Sequence, residues 1–129
     1  MFYDRTMVSL GVCKEEACAL FIKTTVIGKY KDHLVIDSGS KTLGLDKGVH
    51  GNSNIEGFGA IMEYPNLIIT RLSEEHGVIE GKGIQNIHRG EELTLLPNHA
   101  CPVVNLQDTL YVFSKNQLLN KYTVIGRGH

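Results

Sequence analysis

Near the end of the chain, residues 95 to 108 read LLPNHACPVVNLQD and place His99 and Cys101 two positions apart, between Pro97 and Pro102, with Asn105 following. An imidazole nitrogen and a thiolate sulfur together suit zinc better than magnesium or manganese, which prefer oxygen ligands. In an extended segment, positions i and i+2 face the same side, so both side chains can converge on one point. Two protein ligands are too few for a closed structural site. They suit an open catalytic one, whose remaining positions belong to water, substrate or another chain. The two prolines would stiffen the segment and lower the entropy lost when the ligands are ordered. A plainer reading makes Cys101 a small buried apolar residue and His99 a partly buried histidine with its hydrogen bonds met. Taken alone, the His-x-Cys pair favours the plainer one.

Other residues raise similar questions. RLSEEHGVI brings Glu74, Glu75 and His76 together. A carboxylate beside a histidine can orient the ring for general-base work, yet the same residues make an ordinary solvated turn between strands. VIDSGSKTLGLDKG combines Asp37, Ser38, Ser40, Lys41 and Asp46 in a glycine-bearing loop, where Asp and Ser are common turn-formers. FYDRT contributes Tyr3, Asp4 and Arg5 close to the terminus, where fraying is expected. His33, His50, His88 and His129 have no evident partners and receive no role. The chain holds no Gly-rich phosphate loop, no Ser-His-Asp set and no HExxH helix.

These residues must be positioned by strands. CALFIKTTVIGKY is rich in β-branched and aromatic residues, and it turns through KYKD into HLVIDSGS as a hairpin. NLIITRLS and HGVIEG form a second pair, broken around Ser73 to His76. EELTLLP is a further strand, stopped by Pro97. TLYVFSKNQLLNKYTVIG closes the chain as a hairpin turning on SKNQ, with Tyr111 and Phe113 on the face opposite Val112. GKGIQNIHRG reads as a hairpin connection, and SKTLGLDKGVHGNSNIEGFG as a long functional excursion. No helix of ordinary length is expected, only single turns at CKEEACA and NLQDTL. The fold class is therefore mainly β, a Greek-key barrel or sandwich-like domain with short helical turns.

Composition narrows the function. With 129 residues the chain suits a single domain over 1–129. Apolar residues make up 42% and charged ones 21%, as in a folded globular protein. A net charge of −1 gives no electrostatic reason to propose nucleic acid or an anionic membrane as partner. No apolar run approaches a membrane span. The first residues lack a basic region and a cleavable apolar run, so export is not expected. Three cysteines make a disulfide framework improbable, and a reducing, cytoplasmic setting is expected.

Read together and in this order, FYDRTMVSLGVC, VIDSGSKTLGLDKG, RLSEEHGVI and LLPNHACPVVNLQDTLYVF resemble the C-terminal domain of D-serine dehydratase and D-threonine aldolase-like proteins. These are fold-type III pyridoxal-phosphate (PLP) enzymes related to alanine racemase. The resemblance covers nearly the whole chain, and PNHACPVVNL is its most specific part. It implies an enzyme in which an N-terminal α/β barrel holds PLP on a lysine and this β-domain completes the active site, often across a homodimer. It further implies that His99 and Cys101 bind zinc, which would engage the hydroxyl of a small D-amino acid and help it leave. His76, Glu75 and Asn105 would stand in support, with Asp37 to Lys41 near a loop that donates a catalytic group to the neighbouring subunit. Lys41 would be the counterpart there, although the local motif differs. The aldolase branch carries a carboxylate where this chain has Cys101, which places the sequence with the dehydratases.

The barrel and its cofactor lysine are missing from these 129 residues. The chain is thus expected to be inactive alone, as a domain of such a lyase or a fragment of one. Aldol cleavage or racemisation are alternatives within the same chemistry. A non-catalytic β-domain that mediates dimerisation is an alternative outside it.

Overall fold

The computed structural model describes residues 2–47 and 54–129. Six strands close into an antiparallel barrel: β1 (Ile22–Lys29), β2 (Leu34–Ile36), β3 (Ala60–Ile61), β4 (Ile68–Leu72), β5 (Gly77–Glu80) and β6 (Glu92–Leu96). Their order around the barrel is β1-β2-β5-β4-β3-β6. The meander β3–β4–β5 lies with β5 beside β2, which is a Greek-key arrangement. The barrel alternative of the sequence reading therefore holds.

Alternation along each strand fills this barrel. Ile22, Thr24 and Val26 of β1 are buried while Lys23 is exposed. Val26, Leu34, Ile36, Ile69, Ile79, Leu93 and Leu95 are fully enclosed, each contributing about 1.5–3 kcal/mol of apolar burial. The first hairpin pairs Lys29 with Leu34 and Val26 with Ile36, with an irregularity between Val26 and Gly28. Its turn is held by the Tyr30 amide donating to the His33 carbonyl at 2.9 Å and by the stacked Tyr30 and His33 rings.

As expected, helices among the described residues are short, but three stand at positions not foreseen: α1 (Arg5–Ser9), α2 (Ser40–Leu43) and α3 (Ala100–Leu106). The turn expected at NLQDTL is replaced by α3, which ends at Leu106 and gives way to a strand at Thr109. The turn expected at CKEEACA is present, as a 3-10 turn over Glu15–Ala17. GKGIQNIHRG is not a hairpin connection. It joins β5 to β6, which do not pair with each other, and contains a 3-10 turn at Ile84–Asn86 with buried Ile87 plugging the core. Of the long excursion, residues 48–53, including His50, lie outside the described residues.

The last hairpin, β7 (Thr109–Ser114) and β8 (Gln117–Thr123), stands apart from the barrel as its own two-stranded sheet. Lys115 and Asn116 both take positive φ, as a two-residue hairpin loop requires. Only Leu110 packs against the core; Tyr111, Phe113, Leu119 and Tyr122 stay exposed. No described helix is long and apolar enough to cross a membrane.

Candidate functional site

Asp4, Arg5 and Thr6 hold the His99 segment in place. Arg5 and Thr6 amides donate to the carbonyls of Pro97 and Asn98 at 3.0 and 3.2 Å, and the Thr6 hydroxyl also donates to Asn98 O at 2.7 Å. The Asp4 carboxylate caps two helices at once, accepting from Met7 N at 3.1 Å and from Ala100 N at 2.8 Å. Asp4 is 3% exposed and Thr6 fully buried, so the fraying expected of FYDRT does not reach Asp4 to Thr6. The cause is a ladder of main-chain bonds to a segment more than ninety positions away, which no local pattern announces. Arg5 reaches the Glu56 and Gly59 carbonyls and Asn98 Oδ1. Burial lowers its pKa, against the opposing charges of Glu56 and Glu15.

His99 is the N-cap of α3, with extended backbone, and Cys101 is the second residue of the helix. The two therefore do not share one face of an extended strand, as their spacing had suggested. The chain turns helical at Ala100 because Asp4 satisfies its amide and because Pro102 falls in the first turn, where a missing N–H costs nothing. His99 Nδ1 lies 2.6 Å from Asp46 Oδ2, and the imidazole is about a quarter exposed. Asn98 is buried and donates to Asp46 O and Gly57 O, each at 2.9 Å.

Cys101 is exposed rather than buried as the packing reading required. It shares a shallow surface cavity of about 410 Å³ with Asn105, Val124, Gly126 and His129. Asn105 follows Cys101 by four positions, on the same side of α3. Its Oδ1 accepts from Gly128 N at 2.8 Å, drawing the C-terminal residues over the helix. An ion pair between Arg127 and Asp108 fastens the same tail. Among the described residues, no three His, Cys, Asp or Glu side chains are grouped to hold a metal ion.

A second cluster joins α2 to the turn between β4 and β5. Ser40 and Lys41 amides donate to Ser73 O and Glu74 O at 2.8 and 3.1 Å. Lys41 Nζ sits 2.6 Å from Glu75 Oε1 and 3.2 Å from Glu74 Oε2. Hydrogen bonds to Glu75 and Glu74 raise the Lys41 pKa, and the bond from Lys41 lowers that of Glu75. Lys41 is thereby held as an ammonium, and Glu75 serves Lys41 rather than His76. The His76 amide donates to Ser73 Oγ at 3.1 Å while its ring remains exposed. Asp37 accepts from Thr24 Oγ1 at 2.7 Å and Thr25 N at 2.8 Å, tying the end of β2 to β1.

The segment from Ser38 to Asp46 touches both clusters. Lys41 reaches Glu75, Asp46 reaches His99, α2 packs on α3, and Gly44 backs onto Pro102. Three motifs scattered along the sequence thus meet at one end of the barrel. Asp4, Asp46 and Asn98 complete the arrangement. Asp46 was visible only as a loop carboxylate, and its partner is 53 positions away.

Fold and site define a closed Greek-key β-domain that carries an oriented histidine and an exposed thiol at the start of a short helix. Residues 19–113 match the family described as "Putative serine dehydratase domain", and the chain belongs to that family. It is 30% identical over 115 residues to the D-threo-3-hydroxyaspartate dehydratase of Delftia sp. (strain HT23), covering 78% of this chain and 30% of that protein. The crystal structure of that dehydratase superposes with a TM-score of 0.86 at 25% identity, over 96% of this chain and 36% of the other. A D-threonine aldolase of Arthrobacter sp. is 30% identical over 112 residues, covering 85% of this chain and 27% of its own. An uncharacterized protein of Mycobacterium tuberculosis is 29% identical over 134 residues, covering 99% of this chain and 98% of that one. The chain thus spans about a third of the length of the enzymes it matches.

Proposed function

We propose that this chain is the metal-binding C-terminal domain of a PLP-dependent D-amino-acid lyase that dehydrates a D-hydroxy amino acid such as D-serine. The observation that carries this reading is the His99–Cys101 pair. Asp46 engages one imidazole nitrogen, which would leave the other for a ligand, and Cys101 is exposed to solvent. An imidazole nitrogen and a thiol are a donor set that fits zinc in an open site. The dehydratase name of the Delftia relative supports the same reaction class.

PLP on a barrel outside this chain would take up the electrons released at the substrate Cα, and zinc would polarise the departing hydroxyl. The work of this chain is positional. His99 and Cys101 would present the metal, the Asp4 and Thr6 bonds would keep their backbone fixed, and Lys41 with Glu75 would hold α2 against the barrel rim. In the lyase assembled with its barrel, His99→Ala and Cys101→Ala should each abolish zinc retention and most turnover. Normal zinc content in both variants would sink the assignment. Assays with D-serine, D-threonine, D-threo-3-hydroxyaspartate and L-amino acids separate dehydration from aldol cleavage and racemisation.

A second reading, a non-catalytic domain that mediates dimerisation, is favoured by the exposed aromatic and aliphatic side chains of β7 and β8. A strictly monomeric, well-folded domain in light scattering counts against it.

A further inference from the structure

We infer that Asp46 is a positioning residue that fixes His99 as its Nδ1–H tautomer and aims the Nε2 lone pair at the metal. The inference rests on the metal-binding reading above and adds to it a residue from a different part of the chain. An ionised carboxylate only accepts hydrogen bonds. At 2.6 Å from Asp46 Oδ2, His99 Nδ1 must therefore carry the proton. In the neutral ring, the bond made by one nitrogen sets the role of the other, so Nδ1–H leaves Nε2 as the atom with a free lone pair. A carboxylate so placed also orients the ring and makes its free nitrogen more basic, as is general for metal-ligating histidines.

The carboxylate is delivered by a built anchor. Asn98, 1% exposed, holds the main-chain carbonyl of Asp46 at 2.9 Å and spends its second amide hydrogen on Gly57 O. Asn98 Oδ1 in turn accepts from Arg5. The neighbouring Lys47 ammonium lies 4.7 Å from the centre of the Phe58 ring, a further hold on the same loop. Because the loop is held through the Asp46 carbonyl, replacing the side chain removes the partner of His99 without unhooking the backbone. Asp46 is thus held by two consecutive residues, its main-chain carbonyl by the Asn98 side-chain amide and its carboxylate by the His99 ring.

The test uses the metal-free 129-residue chain, with His99 observed by 15N NMR and zinc added in titration. Wild type should show Nδ1–H. Asp46→Ala should shift the ring toward Nε2–H and weaken zinc binding about 10–100-fold. Asp46→Asn, whose amide oxygen still accepts, should keep the tautomer and lose less affinity. An Nε2–H ring in wild type overturns the inference. So does unchanged zinc affinity in Asp46→Ala when His99→Ala weakens binding. If His99→Ala leaves zinc affinity unchanged, the metal reading fails instead, and the tautomer in wild type and Asp46→Ala alone decides whether Asp46 sets the ring.

Discussion

Lys41 and Glu75 show how far a residue's role depends on what folding places beside it. Lys41 could be imagined as a base when read in its own loop. Beside Glu74 and Glu75 it is an ion-pair partner that pins α2 to the β4–β5 turn. Glu75 titrates below its ordinary value of 4.5, so its contribution is present above that value and is lost as pH falls through the depressed one. Lys41 titrates above 10.5, so its contribution is complete below that value and is lost as pH rises through the raised one. The attachment is therefore intact across the neutral range and loosens in acid and in strong alkali. In Lys41→Met, the Glu75 carboxyl followed by 13C NMR should titrate at a higher pH than in wild type. An unchanged midpoint would show that the ion pair does not form in solution.

At the scale of elements, strands were legible and short helices were not. Strands announce themselves by alternation, and β1, β4, β5, β6 and the β7–β8 hairpin all fall where runs of Ile, Val, Leu and Thr stand between turn residues. The helices α1, α2 and α3 have four to seven residues, too few to display a 3.6-residue stripe. In each, distant groups satisfy the first amides: the Pro97 and Asn98 carbonyls for α1, the 73–74 carbonyls for α2 and Asp4 for α3. Gly39 exposes this dependence. A Cβ there would come within 2.5 Å of His76 N and closer still to the Glu74 carbonyl. Gly39→Ala should force α2 from its turn and cost about 1–3 kcal/mol in urea denaturation, as overpacking does. Wild-type stability in that variant would mean that the two segments do not touch.

Across the whole molecule, stability is unevenly distributed. Every barrel strand has a neighbour on both sides, and most of its inward residues are buried. The β7–β8 sheet has two strands, free outer edges and exposed side chains along all of β8. A lone two-stranded sheet is marginal in water. Native-state hydrogen exchange should therefore show the amides of 109–114 and 117–123 exchanging through local opening, well before those of β1 and β6. Equal protection in both sheets would contradict this and would point to a covered hairpin.

By itself the sequence determined the period-2 pattern that makes a β-barrel, the turn residues that separate its strands, and the family to which the His99–Cys101 motif belongs. These are local properties, written in neighbouring residues. The extended pairing imagined for His99 and Cys101 was wrong in its geometry, because Asp4 and Pro102 together start a helix between them. Only the tertiary structure decided that Asp46 faces His99, that Asp4 is buried rather than frayed, and that Glu75 answers to Lys41. The reason is physical: each of these bonds joins residues at least 34 positions apart, and chain closure around the barrel is what brings their partners within hydrogen-bonding distance.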